Sequence, residues 1–276
     1  MKLVRWGAAG AENPGLVDAQ GTVRDLSHHC ADIGPDMLAP DRLARLARID
    51  PASLPAVPGG TRLGAPVAGI GNLIGIGLNY RDHAAETGAT PPAEPVVFSK
   101  HTGAVAGPAD PLPLPKGCAK LDYEVELAVV IGSRAWQVAE RDALSHVAGY
   151  MTANDVSARD WQIERGGQWV KGKSGPGFCP LGPWLVTADE VPDPQALRLW
   201  TEVNGERRQN GTTADMVFGV AVLLSYLSRF MALAPGDVIL TGTPAGVGMG
   251  KGLFLSPGDR LELSVEGLGR QATTVA

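Results

Sequence analysis

Apolar and polar residues alternate over short distances along this chain, and the pattern predicts many short strands with few helices. MKLVRWG (residues 1–7) and PGLVDAQG (14–21) are apolar pieces expected to pair through a turn. LIGIGL (73–78) is an apolar run bounded by turn residues, LDYEVELAVVIG (121–132) combines β-branched content with alternation, and GDVILTGTP (236–244) is a strand ending in a turn. Arg260–Glu266 alternates as a half-buried strand should. Four helices are expected. A weak one lies near Asp41–Ile49, a short one runs from an Asn79 N-cap to Gly88, and a third covers Ala139–Val147. The longest, Asp215–Ala232, is capped by Thr212 or Thr213 and is apolar on most faces, so it is expected to be buried. PASLPAVPGG (51–60) has the character of a linker. It places a boundary near residue 65, between a small N-terminal unit (1–65) and a main domain (66–276). The fold class is α+β, mainly β.

Composition narrows the function. Hydrophobic residues make up 44% and charged residues 19%, the balance of a packed globular protein. The net charge of -5 is spread along the chain with no basic block, so nucleic acid is not an expected partner. The three cysteines, Cys30, Cys118 and Cys179, are odd in number and lack metal-ligand spacing, which reads as free thiols in a reducing, cytoplasmic compartment. The most apolar stretch, Met216–Leu233, is interrupted by Ser225, Ser228 and Arg229, so a buried helix is expected there and not a membrane span.

The strongest chemical signal is Leu121–Gly132. As one strand it puts Asp122, Glu124, Glu126, Ala128 and Val130 on one face, acidic at its start and apolar at its end. Same-face neighbours lie roughly 7 Å apart at Cα. Carboxylates that close and partly desolvated resist ionisation, and a hard divalent cation removes the conflict. Asp155, after an apolar stretch, is the candidate third ligand. A bare Glu-x-Glu on a solvated strand face is the bland alternative.

On the helical turn NYRDHAAETG, His83 and Glu86 stand at i and i+3, so they face the same way and can share a proton or activate a water. The bland reading is a surface pair at a helix end. GQWVKGKS (167–174) matches the phosphate-loop pattern letter for letter. Its context does not fit: no buried strand precedes it, and Pro176, Gly177 and Pro180 block a following helix. Lys173 stays of interest as a cation near an acidic site. TGTPAGVGMGKG (241–252) lacks dinucleotide-binding spacing and suits close backbone approach to a ligand.

In order, GLNYRDHAAETG, PVVFSK, LDYEVELAVVIG, GYMTANDVSARDWQ, KGKSGPGFCPLGPWLVT, NGERRQNGTTADMVF and LTGTPAGVG resemble the fumarylacetoacetate hydrolase superfamily over residues 70 to about 265. The resemblance implies a mixed β-sandwich roll with a small extra N-terminal α/β domain, usually a homodimer. It implies magnesium or manganese on Glu124, Glu126 and Asp155, a His83–Glu86 dyad on a lid helix in which Glu86, steered by His83, takes a proton from water, and Lys173 as active-site lysine. Substrate contacts are implied for Tyr80, Lys100, Arg159, Gln162 and Thr243. Pro176 departs from the pattern, since many relatives carry an acid there. The activity implied is hydrolysis of the C3–C4 bond of a 2,4-dioxo acid. A 2,4-dioxo-3-deoxy-L-fuconate or L-rhamnonate type of sugar acid, giving pyruvate and lactate, is the expected substrate. An acylpyruvate or fumarylpyruvate hydrolase, an oxaloacetate-type decarboxylase and a non-catalytic oxo-acid binding protein are the alternatives.

Overall fold

In a computed structural model describing residues 1–276, the apolar runs become strands and most of them join one sheet. From edge to edge it runs Val23–Asp25, Asn13–Val17, Lys2–Trp6, Leu185–Thr187, Val147–Asn154, Val125–Ile131, Val238–Leu240, Leu73–Gly77 and Val96–Lys100. Neighbours are antiparallel except Val238–Leu240 beside Leu73–Gly77. A second sheet, wholly antiparallel, orders Glu206–Thr212, Arg198–Val203, Arg260–Val265 and Arg270–Thr274. Strand outweighs helix, as the pattern predicts.

Every residue of Val125–Ile131 is buried. Val125, Leu127, Val129 and Ile131 face a core closed by the helix Val220–Leu227 and by Leu199, Leu263 and Val265 of the second sheet. Ala128 and Val130 face the other core, with Leu26, Ile33, Leu38, Leu46 and Phe178. A strand covered on both sides needs no polar alternation, which is why this run reads as nearly continuous apolar sequence. Glu126 enters that second, apolar side, so its carboxylate is buried by the architecture of the sheet.

Residues 1–65 are continuous with this sheet. Lys2 and Leu3 pair with Val186 and Leu185, and Leu3, Leu16 and Leu26 share a core with Leu185 and Val238. Arg62 clamps the junction. It donates to both oxygens of Asp110, at 2.7 and 2.6 Å, and to Glu12 at 2.9 Å.

The helix expected over Asp215–Ala232 is only Val220–Leu227. Thr212 instead caps a 3₁₀ turn, Thr213–Asp215, and Met216 is extended in a bridge to Tyr80. Tertiary bonds decide this. Val217 N donates to the Asn79 carbonyl at 2.8 Å and Phe218 N to Asn79 Oδ1 at 2.9 Å, so those amides are satisfied without a helix. Asn79 is therefore not the cap of the short helix. That helix is Arg81–Glu86, with Tyr80 at the N-cap. The third expected helix is Glu140–Ala143 followed by a 3₁₀ turn, Leu144–His146, and the first is Pro40–Leu46. No helix is long and apolar enough to cross a membrane.

Candidate active site

The expected continuous acidic strand is broken. Leu121–Asp122 and Val125–Ile131 are separate strands, and Tyr123 and Glu124 lie between them. Asp122 is not one of the converging acids, although it shares the Arg159 guanidinium with Glu124. Its carboxylate accepts from the amides of Tyr123, Gly248 and Met249 at 2.8, 2.7 and 3.0 Å and from Arg159 Nε at 2.8 Å. Glu124 and Glu126 stay together, and strand register brings Asp155 to them. Val125 pairs with Asn154 across the ladder, Glu124 N donates to Asn154 Oδ1 at 3.0 Å, and Asp155 N donates to the Glu124 carbonyl at 2.9 Å. One oxygen from each of Glu124, Glu126 and Asp155 lies within 4.8 Å of the others, and all three side chains are buried.

Cations surround this cluster unevenly. Lys173 Nζ donates to Glu124 Oε2 and Asp155 Oδ2, both at 2.7 Å. Lys100 Nζ pairs with Asp155 Oδ1 and donates to the Val156 carbonyl at 3.2 Å. Arg159 Nη2 donates to Glu124 Oε1 at 2.5 Å. Glu126 receives only the Gly242 amide, at 2.7 Å. The electrostatic result is asymmetric. Burial alone would raise the Glu124 carboxyl, but Arg159 and then Lys173 outweigh it and hold it down to about 2. Burial, then Asp155 and Glu124, push Glu126 well above the ordinary carboxylate range. Lys173 is buried, which disfavours its charge, yet Asp155 and Glu124 more than compensate and raise it. A buried carboxylate that its neighbours keep from ionising, beside two others, is an all-oxygen donor set matched to a hard divalent cation. The residues present fit such an ion, with Glu124, Glu126 and Asp155 to hold it.

The dyad is present but loosely joined. His83 Nδ1 lies 3.6 Å from Glu86 Oε2, too long for a hydrogen bond, and this buried nitrogen has no other partner. Glu86 is held instead by the Gly246 amide, which approaches its two oxygens at 3.1 and 3.0 Å. The glycine-rich loop expected to approach a ligand thus approaches the protein's own acids, Glu86 through Gly246 and Asp122 through Gly248 and Met249. Gly250 leaves room for Glu86 in this position: a Cβ there would stand 2.5 Å from Glu86 Cδ.

A cavity of about 100 Å³ opens over the acids. Glu124, Glu126, His83, Arg159 and Lys173 line its inner part. Gln162 and Thr243 line it too, but differently. Gln162 Oε1 accepts from Arg159 Nη1 at 3.1 Å, which leaves its NH2 for the cavity. The Thr243 hydroxyl donates to the Val125 carbonyl and accepts from Gln209 Nε2, both at 2.8 Å. Tyr80 and Lys100 are not among the lining residues. Tyr80 is fully buried with an unpartnered hydroxyl, and burial above all raises it well above its ordinary value. Lys100 reaches Asp155 from behind. The phosphate-loop match carries no phosphate loop: Val170–Lys173 is a helical turn that aims Lys173 at the acids.

Asp122 and Gln209 escaped the sequence reading. Asp122 was legible only as part of the acidic strand face, and its actual partners are amides of a loop more than a hundred residues away. Gln209 accepts from Val125 N at 3.0 Å and tethers Thr243, and nothing in its local sequence, RRQNG, marks it.

Residues 72–276 match the family model described as fumarylacetoacetate (FAA) hydrolase, C-terminal. The chain belongs to the fumarylacetoacetate hydrolase family. A Burkholderia cenocepacia (strain HI2424) relative, whose name goes no further than hydrolase, is 58% identical over 274 residues, covering 98% of this chain and 97% of its own. Among solved structures, the fumarylacetoacetate hydrolase of psychrophilic Exiguobacterium antarcticum is 37% identical with a TM-score of 0.88, covering 100% of this chain and 99% of its own. A structure titled 5-carboxymethyl-2-hydroxymuconate delta-isomerase, from Mycobacterium smegmatis, is 34% identical with a TM-score of 0.80 over 100% and 98% of the two chains. The maleylpyruvate hydrolase of Sphingobium sp. SYK-6 is 29% identical with a TM-score of 0.85 over 100% and 99%. The family therefore includes both hydrolases and isomerases of this fold.

Proposed function

We propose that this member of the family hydrolyses the C3–C4 bond of a 2,4-dioxo acid, releasing pyruvate and a carboxylic acid. The observation that carries the reading is the convergence of Glu124, Glu126 and Asp155 on one point beside the buried Lys173 ammonium and under the His83–Glu86 pair. A magnesium or manganese ion held by the three acids would polarise the substrate's C1 carboxylate and 2-oxo oxygens. The protein's own groups do the rest. His83 lines the cavity whereas Glu86 does not, so His83 accepts the proton of the attacking water and Glu86 stabilises the imidazolium from behind. This reverses the order of the two roles expected from sequence. Water oxygen adds to C4, C3–C4 breaks as the C4 carbonyl re-forms, and the electron pair leaves on C3 as pyruvate enolate. Lys173 stabilises that negative charge, which is largest in the transition state. A proton returned to C3 completes pyruvate.

Acetylpyruvate with magnesium, followed by loss of its dioxo absorbance with and without chelator, tests the reading. Chelator-sensitive turnover to pyruvate and acetate is expected. Absence of such turnover across a panel of dioxo acids and oxaloacetate would leave a binding protein as the better account. Decarboxylation or isomerisation would use the same ion without a lytic water, and product analysis separates them from hydrolysis.

A further inference from the structure

The cavity has two zones. Its inner part is charged, as described above. Its mouth is apolar: Leu78, Phe98, Trp169 and Met249 are half-buried there, and Ile163 is 52% exposed.

The mouth is built into the sheet. Gly75 pairs with Phe98 across the ladder, and a Cβ on Gly75 would stand 2.1 Å from the Phe98 ring. A Cβ on Gly77 would stand 2.5 Å from the Trp169 ring. Two glycines on Leu73–Gly77 thus give two aromatic rings a bare backbone to lie on. The rings touch, with centroids 5.4 Å apart and planes at 58°. Phe98 also joins the zones, because Lys173 Nζ sits 4.9 Å from its ring centroid.

Leu78 is held at the mouth against its backbone preference. Its φ is +55°, a region a branched residue rarely adopts. The next residue fixes it there: Asn79 Nδ2 donates to the carbonyls of Phe218 and Thr241, at 3.0 and 2.8 Å. Glycine would take this conformation without strain, yet the position carries an apolar side chain that lines the cavity.

Resting on the proposed reaction, we infer that this mouth is the acyl subsite, and that the substrate is a 2,4-dioxo acid whose acyl group is apolar, aromatic above all. With the dioxo-acid end on the acids and Lys173, the group attached to C4 lies against Phe98, Trp169, Leu78, Ile163 and Met249. A polyhydroxylated chain would lose water there and find few partners, since beyond the charged inner groups the lining offers it only the Thr87 hydroxyl and the free Gln162 NH2. The sugar-acid substrate expected from sequence is thereby disfavoured.

The test compares benzoylpyruvate, acetylpyruvate and a 2,4-dioxo-3-deoxy sugar acid. The benzoyl compound should exceed both in kcat/KM by about 10-fold or more, as an aromatic group in an apolar pocket should. Ile163→Asn, at an exposed position where folding is not at stake, should narrow the benzoyl-to-acetyl ratio several-fold through KM, and Trp169→Ala should narrow it further. Calorimetric binding of benzoylpyruvate with magnesium to His83→Asn gives a readout independent of turnover. Preference for the sugar acid, or a ratio unmoved by both substitutions, overturns the subsite while leaving the reaction standing. Tight, Ile163-dependent benzoylpyruvate binding without cleavage of any compound keeps the subsite and removes the reaction. Failure of benzoylpyruvate to bind overturns the subsite outright.

Discussion

Gly246 N–H points at the Glu86 carboxylate, 3.1 Å from one oxygen and 3.0 Å from the other. A residue on the short helix is thereby fixed by a loop far along the chain, and its distance to His83, 3.6 Å, is set by both. Movement of under 1 Å by the helix closes a hydrogen bond between the two. Glu86→Gln keeps an oxygen for Gly246 but removes the charge that stabilises an imidazolium. Hydrolysis should fall by roughly 100-fold, with a larger loss for His83→Asn, because positioned proton transfer contributes about 10²–10⁴-fold. Calorimetry should find divalent-ion affinity little changed in both. Normal turnover by either variant would remove that residue from the chemistry.

Lys173 donates to both Glu124 and Asp155, two of the three acids that would hold a metal ion. Lys173→Met should therefore bind manganese at least as tightly as the parent, since a competing cation is gone. It should still lose about 100-fold or more in kcat, the scale of one lost oxyanion-stabilising group. Without metal the variant leaves buried carboxylates short of a partner, a loss of about 3–5 kcal/mol, and manganese should restore much of it. Denaturant melts with and without manganese measure this. Weakened manganese binding would mean that the lysine supports the ion site and does not compete with it.

The sequence made the ligands legible because the constraint on them is local: two acids two residues apart, entering a run that is apolar on both sides. Asp155 was legible only as an acid after an apolar stretch, and strand register turns it into a neighbour. What stayed hidden depends on partners distant in sequence. Nothing near Asp122 shows that Gly248 and Met249 amides will hold its carboxylate, and nothing near Met216 shows that Asn79 will bind the amides a helix needs. Tyr80 and Lys100, expected to contact substrate, stand outside the cavity lining for a related reason. Motif order places a side chain in the neighbourhood of a site, but only packing decides whether it reaches the cavity or stands behind a ligand.

Lys100 should accordingly act on metal binding and not on substrate binding. Its ammonium, fully buried, pairs with Asp155 Oδ1 and the Val156 carbonyl. Lys100→Met releases Asp155 from that hold, so manganese affinity should fall by about 10-fold or more, as loss of an outer partner of a metal ligand does. At saturating manganese, KM for acetylpyruvate should stay near the parent value. A raised KM with undiminished manganese affinity would return Lys100 to the substrate side.

The Arg62 clamp makes the junction with residues 1–65 sensitive to acid. Its hydrogen bond with Arg62 holds Asp110 below the usual carboxylate range, and for Glu12 the Arg62 bond and Arg5 outweigh the opposing effect of burial. Carboxyls depressed by folding stabilise the folded state above their unfolded values, about 4, and that contribution is lost as pH falls through the lower folded values. Arg62→Met should cost about 1–2 kcal/mol at pH 7, a figure kept small because the guanidinium is partly in solvent. As pH falls through the depressed folded values the parent loses this advantage, so the gap between variant and parent should be smaller at pH 3 than at pH 7. Urea unfolding at the two pH values measures the gap. An equal difference at both would mean that Arg62 contributes through packing of its stem and not through the two acids.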